Sequence, residues 1–363
     1  MVWDIVVVGA GLAGLVCARR LQTAGYRVLV LEKSRGLGGR LATRRVQDQA
    51  IDHGCRFLEP AQSLLAQQLV EQLSAEGVLH SWSPTCYDLS TDNLQECPTE
   101  EWLAAPAGMT AVAKRLAEGL EIRRQAKVVG LQPEIRPAIH WQVALEETGQ
   151  GPLPVSAQAV VLAVPAPQAL EILQPLVKLK VGLEPALLAE LQAVAFNASI
   201  TLFAGYDAPP QEKLSAGHQG WMVYGNSATP FAWVGLDSSK RAVPQQPVVV
   251  IQSCDRFAQR YLNEPDLSEA GQTLLQQTAH VVGQDLAEPL WTQVHRWRYA
   301  FPKTPAAASS LITHHPLPLA CAGDWCGGAD AGAALTSGWE TAARIHQALG
   351  RRNTNRLPES LFI

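Results

Sequence analysis

Three glycines and one acid carry the clearest chemistry in the chain. Gly9, Gly11 and Gly14 stand in G-x-G-x-x-G spacing within "DIVVVGAGLAGLVCARRL", and Glu32 follows 18 residues after Gly14. Such a turn lets a pyrophosphate approach the backbone, and the unpaired N–H groups of the helix that follows favour its charge. A carboxylate at the position of Glu32 accepts hydrogen bonds from a ribose 2′-OH and repels a 2′-phosphate. The pattern predicts a dinucleotide seat built from Gly9, Ala10, Gly11, Leu12, Ala13 and Gly14, with Glu32 and Lys33 at its far side. "SRGLGGRLATRR" then offers Arg40 behind Gly38 and Gly39, a guanidinium on a flexible loop that can reach the same pyrophosphate.

The elements that must hold these groups are legible around them. Ile5–Val8 reads as a strand, a helix runs to about Thr23 and stops at Gly25, and Arg27–Lys33 is the next strand. Ile51–Leu58 returns as a strand-like piece with Asp52, His53 and Gly54 in a row. Pro106–Gln132 reads as a loop, a short amphipathic helix with Thr110 as N-cap, and two strands. Ala159–Leu170 is an apolar stretch in which Pro165 and Pro167 end a buried parallel strand. Between about 195 and 300 the texture changes to aromatic-rich antiparallel strands, including "GWMVYG" and "HRWRYAFP". Near the end, "CAGDWCGGADAGAALTSGWETAARI" leaves a buried strand at Leu319–Ala322 and passes through Gly323, Asp324, Gly327, Gly328, Gly332, Ala333 and Ala334 into a helix. Side chains this small let a helix N-terminus lie against a flat ring, and Asp324 either meets a ligand there or caps a helix.

"GAGLAGL", "EKSRGLGGRLAT" and "DHG" together resemble the FAD-dependent amine oxidase superfamily, and the G-G-R form and short chain resemble its renalase branch. The resemblance implies an α/β fold, in which a Rossmann-type FAD-binding domain (p-hydroxybenzoate hydroxylase-like) carries an inserted, mostly antiparallel α+β substrate domain. It divides the chain into a discontinuous FAD-binding domain (1–75, 105–165 and 303–363) and a substrate domain (76–104 and 166–302). Gly9, Gly11, Gly14, Glu32, Gly39, Arg40 and Gly54 would meet FAD, as would Val129 on the strand beside the adenine and the late Gly/Ala motif. Tyr224 and Trp297 would be walls of the substrate cavity. Gln252 stands where some relatives have a His, and His295 is a weaker candidate for catalysis.

Renalase-like enzymes oxidise the 2- and 6-dihydro isomers of reduced NAD(P) with dioxygen, so the resemblance implies a nicotinamide nucleotide as substrate. The competing readings are an amine or CH–NH oxidase, a carotenoid-type desaturase and a flavin-binding regulator without turnover. Neither Cys321 nor Cys326 is followed by Tyr, so non-covalent FAD is expected. Lys213 and Lys240 fall in polar stretches and are not expected to act as buried bases, and Lys240 with Arg241 is expected at a cavity rim where it could attract phosphates.

Composition narrows the class further. The chain has 363 residues, 47% hydrophobic and 17% charged, with a net charge of -4. That is an ordinary globular composition without a basic surface for nucleic acid. Seven cysteines, odd in number and without a CxxC pair, point to reduced thiols and no metal site. No apolar run reaches spanning length, and Asp4 stands where a signal peptide would be basic, so a cytoplasmic protein is expected.

Overall fold

The computed structural model describes residues 2–59, 63–89, 93–98, 101–134, 139–146, 155–179, 182–211, 214, 219–243, 246–350 and 356–361. The chain opens with β1 (Val2–Val8), α1 (Leu12–Thr23) and β2 (Val28–Glu32). It continues through the hairpin β3 (Thr43–Val46) and β4 (Gln49–Asp52), then α2 (Leu64–Ala75). Four short strands follow: β5 (His80–Trp82), β6 (Thr85–Asp88), β7 (Gln95–Glu96) and β8 (Trp102–Ala104). Next come α3 (Thr110–Ala117), β9 (Glu121–Arg124), β10 (Val128–Glu134), β11 (His140–Leu145), β12 (Val155–Leu162), α4 (Ala166–Lys178) and α5 (Pro185–Ala193). β13 (Ala195–Gly205), β14 (Trp221–Tyr224), β15 (Phe231–Leu236), β16 (Val248–Ser253), α6 (Asp255–Tyr261), α7 (Ser268–Val282) and β17 (Trp291–Thr304) build the second half. β18 (Leu311–Thr313), β19 (Leu319–Cys321) and α8 (Ala331–Leu349) close the chain.

Two sheets result. In the first, β12, β1, β2 and β9 lie parallel in that order. The other edge of β12 is shared by antiparallel β11 along its first half and parallel β19 along its second. Because side chains alternate along a strand, Ile5 and Val7 of β1 pack with α1, α3 and α8 on one face, while Val6 and Val8 pack on the other. The second sheet runs β17-β13-β16-β15-β14-β6-β7 and is antiparallel except where β14 meets β6. Its outer face packs on α6 and α7. The mixed α/β architecture is therefore the expected one, a Rossmann-like parallel domain with an antiparallel partner.

Two details differ from expectation. Ala166, Ala169, Ile172, Leu173 and Leu176 of α4, with Leu187 and Leu191 of α5, belong to the core of the first sheet. The apolar stripe of α4 covers β10 and β11, so by packing both helices lie with the first sheet, not with the substrate half. Thr110 does not cap α3: its hydroxyl accepts from the backbone N–H of Thr43 at 2.7 Å and donates to the carbonyl of Leu41 at 2.9 Å. It ties the helix to the loop after β2.

The two halves are joined by a cluster of four buried charges, which overturns the expectation for Lys240 and Arg241. Both lie off the cavity described below, and Lys240 is 1% exposed. Lys240 Nζ donates to Asp52 Oδ2 at 3.0 Å and to the carbonyl of Arg56 at 2.8 Å, and it also pairs with Asp237. Arg241 Nη2 reaches Asp52 at 3.0 Å and Asp237 at 2.5 Å, while its other nitrogens donate to the carbonyls of Ala50 and Ala105. Asp52 Oδ1 accepts from Thr43 Oγ1 and the N–H of Met109. Burial alone would raise the Asp52 pKa, but Lys240, Arg241 and these two donors hold it down to about 2. Lys213 lies outside the described residues.

Removing one cation from such a cluster strands a buried carboxylate, at a cost of about 3–5 kcal/mol. Lys240→Met should lower the unfolding free energy by about that amount in urea titrations of the flavin-loaded protein. The Asp52 contribution, with its carboxylate depressed, is complete above its ordinary pKa of 3.8 and drains as pH falls toward about 2. The wild-type protein should therefore lose more stability over that interval than the variant.

Candidate active site

Between the two sheets lies one large cavity of about 1950 Å³. One end is formed by the loops at the carboxyl edge of the first sheet, where ligands bind in open α/β sheets. Gly9 takes a left-handed turn (φ 104°), and a side chain there would meet the carbonyl of Ala163 at 2.4 Å. Gly14 faces away from the cavity and packs under the turn: a Cβ would lie 2.1 Å from the Gly9 carbonyl. Gly11 is the opposite case. A Cβ there would meet no atom within 4 Å and would enter the open cavity at the start of α1, whose first turn holds no acid. Ala10 is fully buried, and its N–H donates to Glu32 Oε2 at 2.9 Å; Ser34 N–H donates to Oε1 at 2.8 Å. Both carboxylate oxygens are thereby aimed, and Glu32, Lys33, Leu12 and Ala13 all line the cavity.

Val128, not Val129, faces this end. Val129 sits at a bulge in β10, between Val128 and Gly130, and its side chain is 42% exposed and off the cavity lining. Gly39 and Arg40 also line the cavity, and so does Asp324 after β19. Arg40 Nη1 and Nη2 grip Asp324 at 2.5 and 2.8 Å. Burial raises the Asp324 pKa, against the pull of Arg40.

The small residues of the last motif divide into two groups. Gly323, Gly332, Ala333 and Ala334 line the cavity beside the N-terminus of α8, where Asp330 caps by accepting from Ala333 N–H at 2.7 Å. Gly338 instead lets α8 pack on α1, for a Cβ would lie 2.3 Å from the Ala13 carbonyl. Cys326 reaches the cavity wall, but burial pushes its thiol up to about 12; Cys321 lies within β19 and off the wall.

The other end is walled by β17. It contributes Gln293 and the continuous run His295 to Phe301 to the lining, with Trp297, Tyr299 and Phe301 as its aromatic side chains. Tyr224, Gln252 and Gly54 line the same region. Two residues without a role in the sequence reading also stand here. His53 is buried, stacks on Trp297 with ring centroids 5.3 Å apart, and makes an edge contact with His295 at 4.7 Å. Its carbonyl accepts from Trp297 Nε1 at 2.8 Å, while its Nδ1 has no partner among the described residues. Arg56 is the other. Its Nε donates to Gln252 Oε1 at 2.6 Å, and Gln252 Nε2 donates to the Gly54 carbonyl at 2.7 Å. Gln252 thus fixes the loop after β4.

The imidazoles of His53 and His295 and the phenol of Tyr224 are neutral near pH 7, beside the cationic Arg56. Burial, then His295 and Arg44, pushes His53 down to about 3. Burial, then Arg44 and Arg296, pushes His295 down to about 4. Burial pushes the Tyr224 phenol up to about 12 in spite of Arg56. The lysines of the lining, Lys33 and Lys127, belong to the Glu32 end.

A dinucleotide clamp at one end of a cavity and an aromatic wall at the other define an oxidoreductase that holds a redox dinucleotide across two domains. Residues 90–346 match the family described as flavin containing amine oxidoreductase, and residues 7–73 match the NAD(P)-binding Rossmann-like domain. The chain belongs to the flavin-containing amine oxidoreductase family and is an FAD-dependent enzyme. It is 42% identical over 73 residues to putrescine oxidase from Kocuria rosea, a match to 20% of this chain and 15% of that enzyme. Over 60 residues it is 42% identical to an L-amino acid dehydrogenase of Synechocystis sp., 16% of this chain and 13% of that one. The match therefore spans about one seventh of these curated relatives. Cyclohexylamine oxidase from Brevibacterium oxydans superposes with a TM-score of 0.71 at 14% identity, over 97% of this chain and 100% of that one. Putrescine oxidase bound to putrescine superposes at 0.68 and 16% identity, over 97% and 100%. No helix among the described residues is long and apolar enough to cross a membrane.

The residues present fit FAD, since the open cradle at Gly11 and the aimed Glu32 carboxylate suit its pyrophosphate and ribose. Gly11→Val should leave the apoprotein folded, because its side chain meets only cavity space, yet abolish flavin binding. Gly14→Val should destabilise the fold itself. Absorbance near the flavin band per mole of protein, read beside the melting temperature, separates the two outcomes.

Proposed function

We propose that the protein is an FAD-dependent oxidase of renalase type, acting on the 2- and 6-dihydro isomers of reduced NAD(P). The observation that carries this reading is the β17 end of the cavity: an aromatic surface beside which the imidazoles of His53 and His295 and the phenol of Tyr224 are uncharged. FAD held there would supply a two-electron acceptor for the hydride of the dihydronicotinamide ring, and dioxygen with a proton from water would carry the electrons on as hydrogen peroxide, leaving NAD(P)+. The ring becomes aromatic as hydride leaves, so no side chain has to remove a proton. What the chain must supply is a flat, dry surface that holds the ring at contact distance. Trp297, fixed by its hydrogen bond to His53 and by stacking on that imidazole, supplies it together with Tyr224. His295 and Gln252 shape and brace this surface in the proposal, without proton transfer. At the other end Gly9 to Ala13, Glu32, Lys33, Gly39, Arg40 and Asp324 would hold the cofactor, with no thioether to Cys321 or Cys326.

A second reading, oxidation of a small amine, draws on the local identity to putrescine oxidase. Anaerobic bleaching of the oxidised flavin decides between them. The 2- and 6-dihydro isomers of NADH should bleach it fast, while ordinary NADPH and a panel of primary amines should not. Trp297→Ala should raise the concentration of isomer for half-maximal bleaching about tenfold, the loss of one stacked ring. Bleaching by amines alone would overturn the renalase-type reading.

A further inference from the structure

Arg56 has no role in the chemistry above, yet its guanidinium lies on the substrate end of the cavity wall. The group lies over the ring of Trp233, 5.0 Å from its centroid, and 5.7 Å from that of Phe301. Gln252 Oε1 takes its Nε, and the Tyr224 hydroxyl is its other side-chain partner. Both partners are neutral groups of the same wall. Among the described residues it forms no ion pair, although Arg40, Arg115 and Arg241 each find a carboxylate. The acid that it feels is Glu59, an exposed residue on the cavity lining.

An arginine desolvated against two aromatic faces and left without a counter-ion is poised for an anionic ligand. Its fork matches two oxygens of one carboxylate or one phosphate, and such charge-assisted bonds are roughly twice as strong as neutral ones. Gln252 fixes the orientation of the guanidinium, so little freedom is lost when the anion arrives. Burial lowers the Arg56 pKa to about 10, which leaves the cation intact at neutral pH.

We propose that Arg56 is an anion seat beside the ring site and selects substrates that carry a carboxylate or phosphate oxyanion within reach of the oxidised ring. The seat deepens the functional reading above, since a dinucleotide substrate brings phosphates, but its existence can be tested without turnover. Nicotinate and nicotinamide are nearly the same ring with and without the charge. Each is titrated into the oxidised flavin-loaded protein, beside inorganic phosphate, and the flavin bands report binding. At least one of the two anions should bind at least tenfold tighter than nicotinamide. Preference for nicotinate assigns the seat to a carboxylate, and preference for phosphate assigns it to a phosphate group. Arg56→Gln should erase the preference, and Arg56→Lys, which keeps the charge and loses the fork, should retain part of it. Equal binding of all three probes by the wild type overturns the proposal, whatever the variants do, as does an unchanged preference in a flavin-loaded Arg56→Gln. Because these titrations involve no hydride transfer, failure of the isomers to bleach the flavin would sink the renalase-type reading and leave the seat standing.

Discussion

The site depends on two carboxylates and two cations closed away from water. Asp52 ends the hairpin of the first half, while Asp237, Lys240 and Arg241 follow β15 of the second. An unpaired charge in this position would cost several kcal/mol, and each member here is met by two opposite charges or by backbone groups. The cluster therefore fixes how the antiparallel sheet sits over the parallel one. It also fixes the chain just beyond Asp52, because Lys240 holds the carbonyl of Arg56. His53, Gly54 and Arg56 reach the cavity from this short segment, pinned at one end by the charges and in the middle by Gln252.

A second constraint works on the cofactor end. Glu32 has both oxygens engaged by backbone N–H groups, so its direction is set before any ribose arrives. Arg40 and Asp324, by contrast, satisfy each other across the cavity. A ligand that uses either group must replace part of a half-buried ion pair with bonds at least as good. A pyrophosphate carries the charge to do this for Arg40, and ribose or ribityl hydroxyls can do it for Asp324. The clamp is thus specific through competition as well as through shape.

How much of this was legible in the sequence follows the range of the interactions. The glycine turn, Glu32 and the last Gly/Ala motif are local patterns, and each lies on or beneath the cavity wall. The antiparallel texture of the second half and the aromatic-rich run "HRWRYAFP" on β17 are also local, and they point to Trp297 and His295. Lys240 could not be read this way. Its partner Asp52 lies 188 residues earlier, and in sequence the lysine sits in a polar stretch that resembles any exposed turn. Nor could the placement of α4 and α5, because an amphipathic helix after a strand says that it covers a sheet and not which one. At Val129 the sequence could not show which side chain of the Val128-Val129 pair lines the cavity, because a bulge interrupts β10 there.

The cations around the ring site act on their neighbours as well as on any ligand. Burial is the main cause that lowers His53 and His295; Arg44 adds to it at both, and Arg296 at His295, by making a second positive charge unfavourable there. Protonating either imidazole would put another cation into this desolvated corner, which the geometry resists. Burial and positive potential therefore act together to keep these imidazoles neutral. The same field would favour an anionic ligand, as the proposed seat at Arg56 requires. A reaction that needs a protonated or ionised base at the ring works against this environment, whereas a hydride donor with an anionic tail works with it.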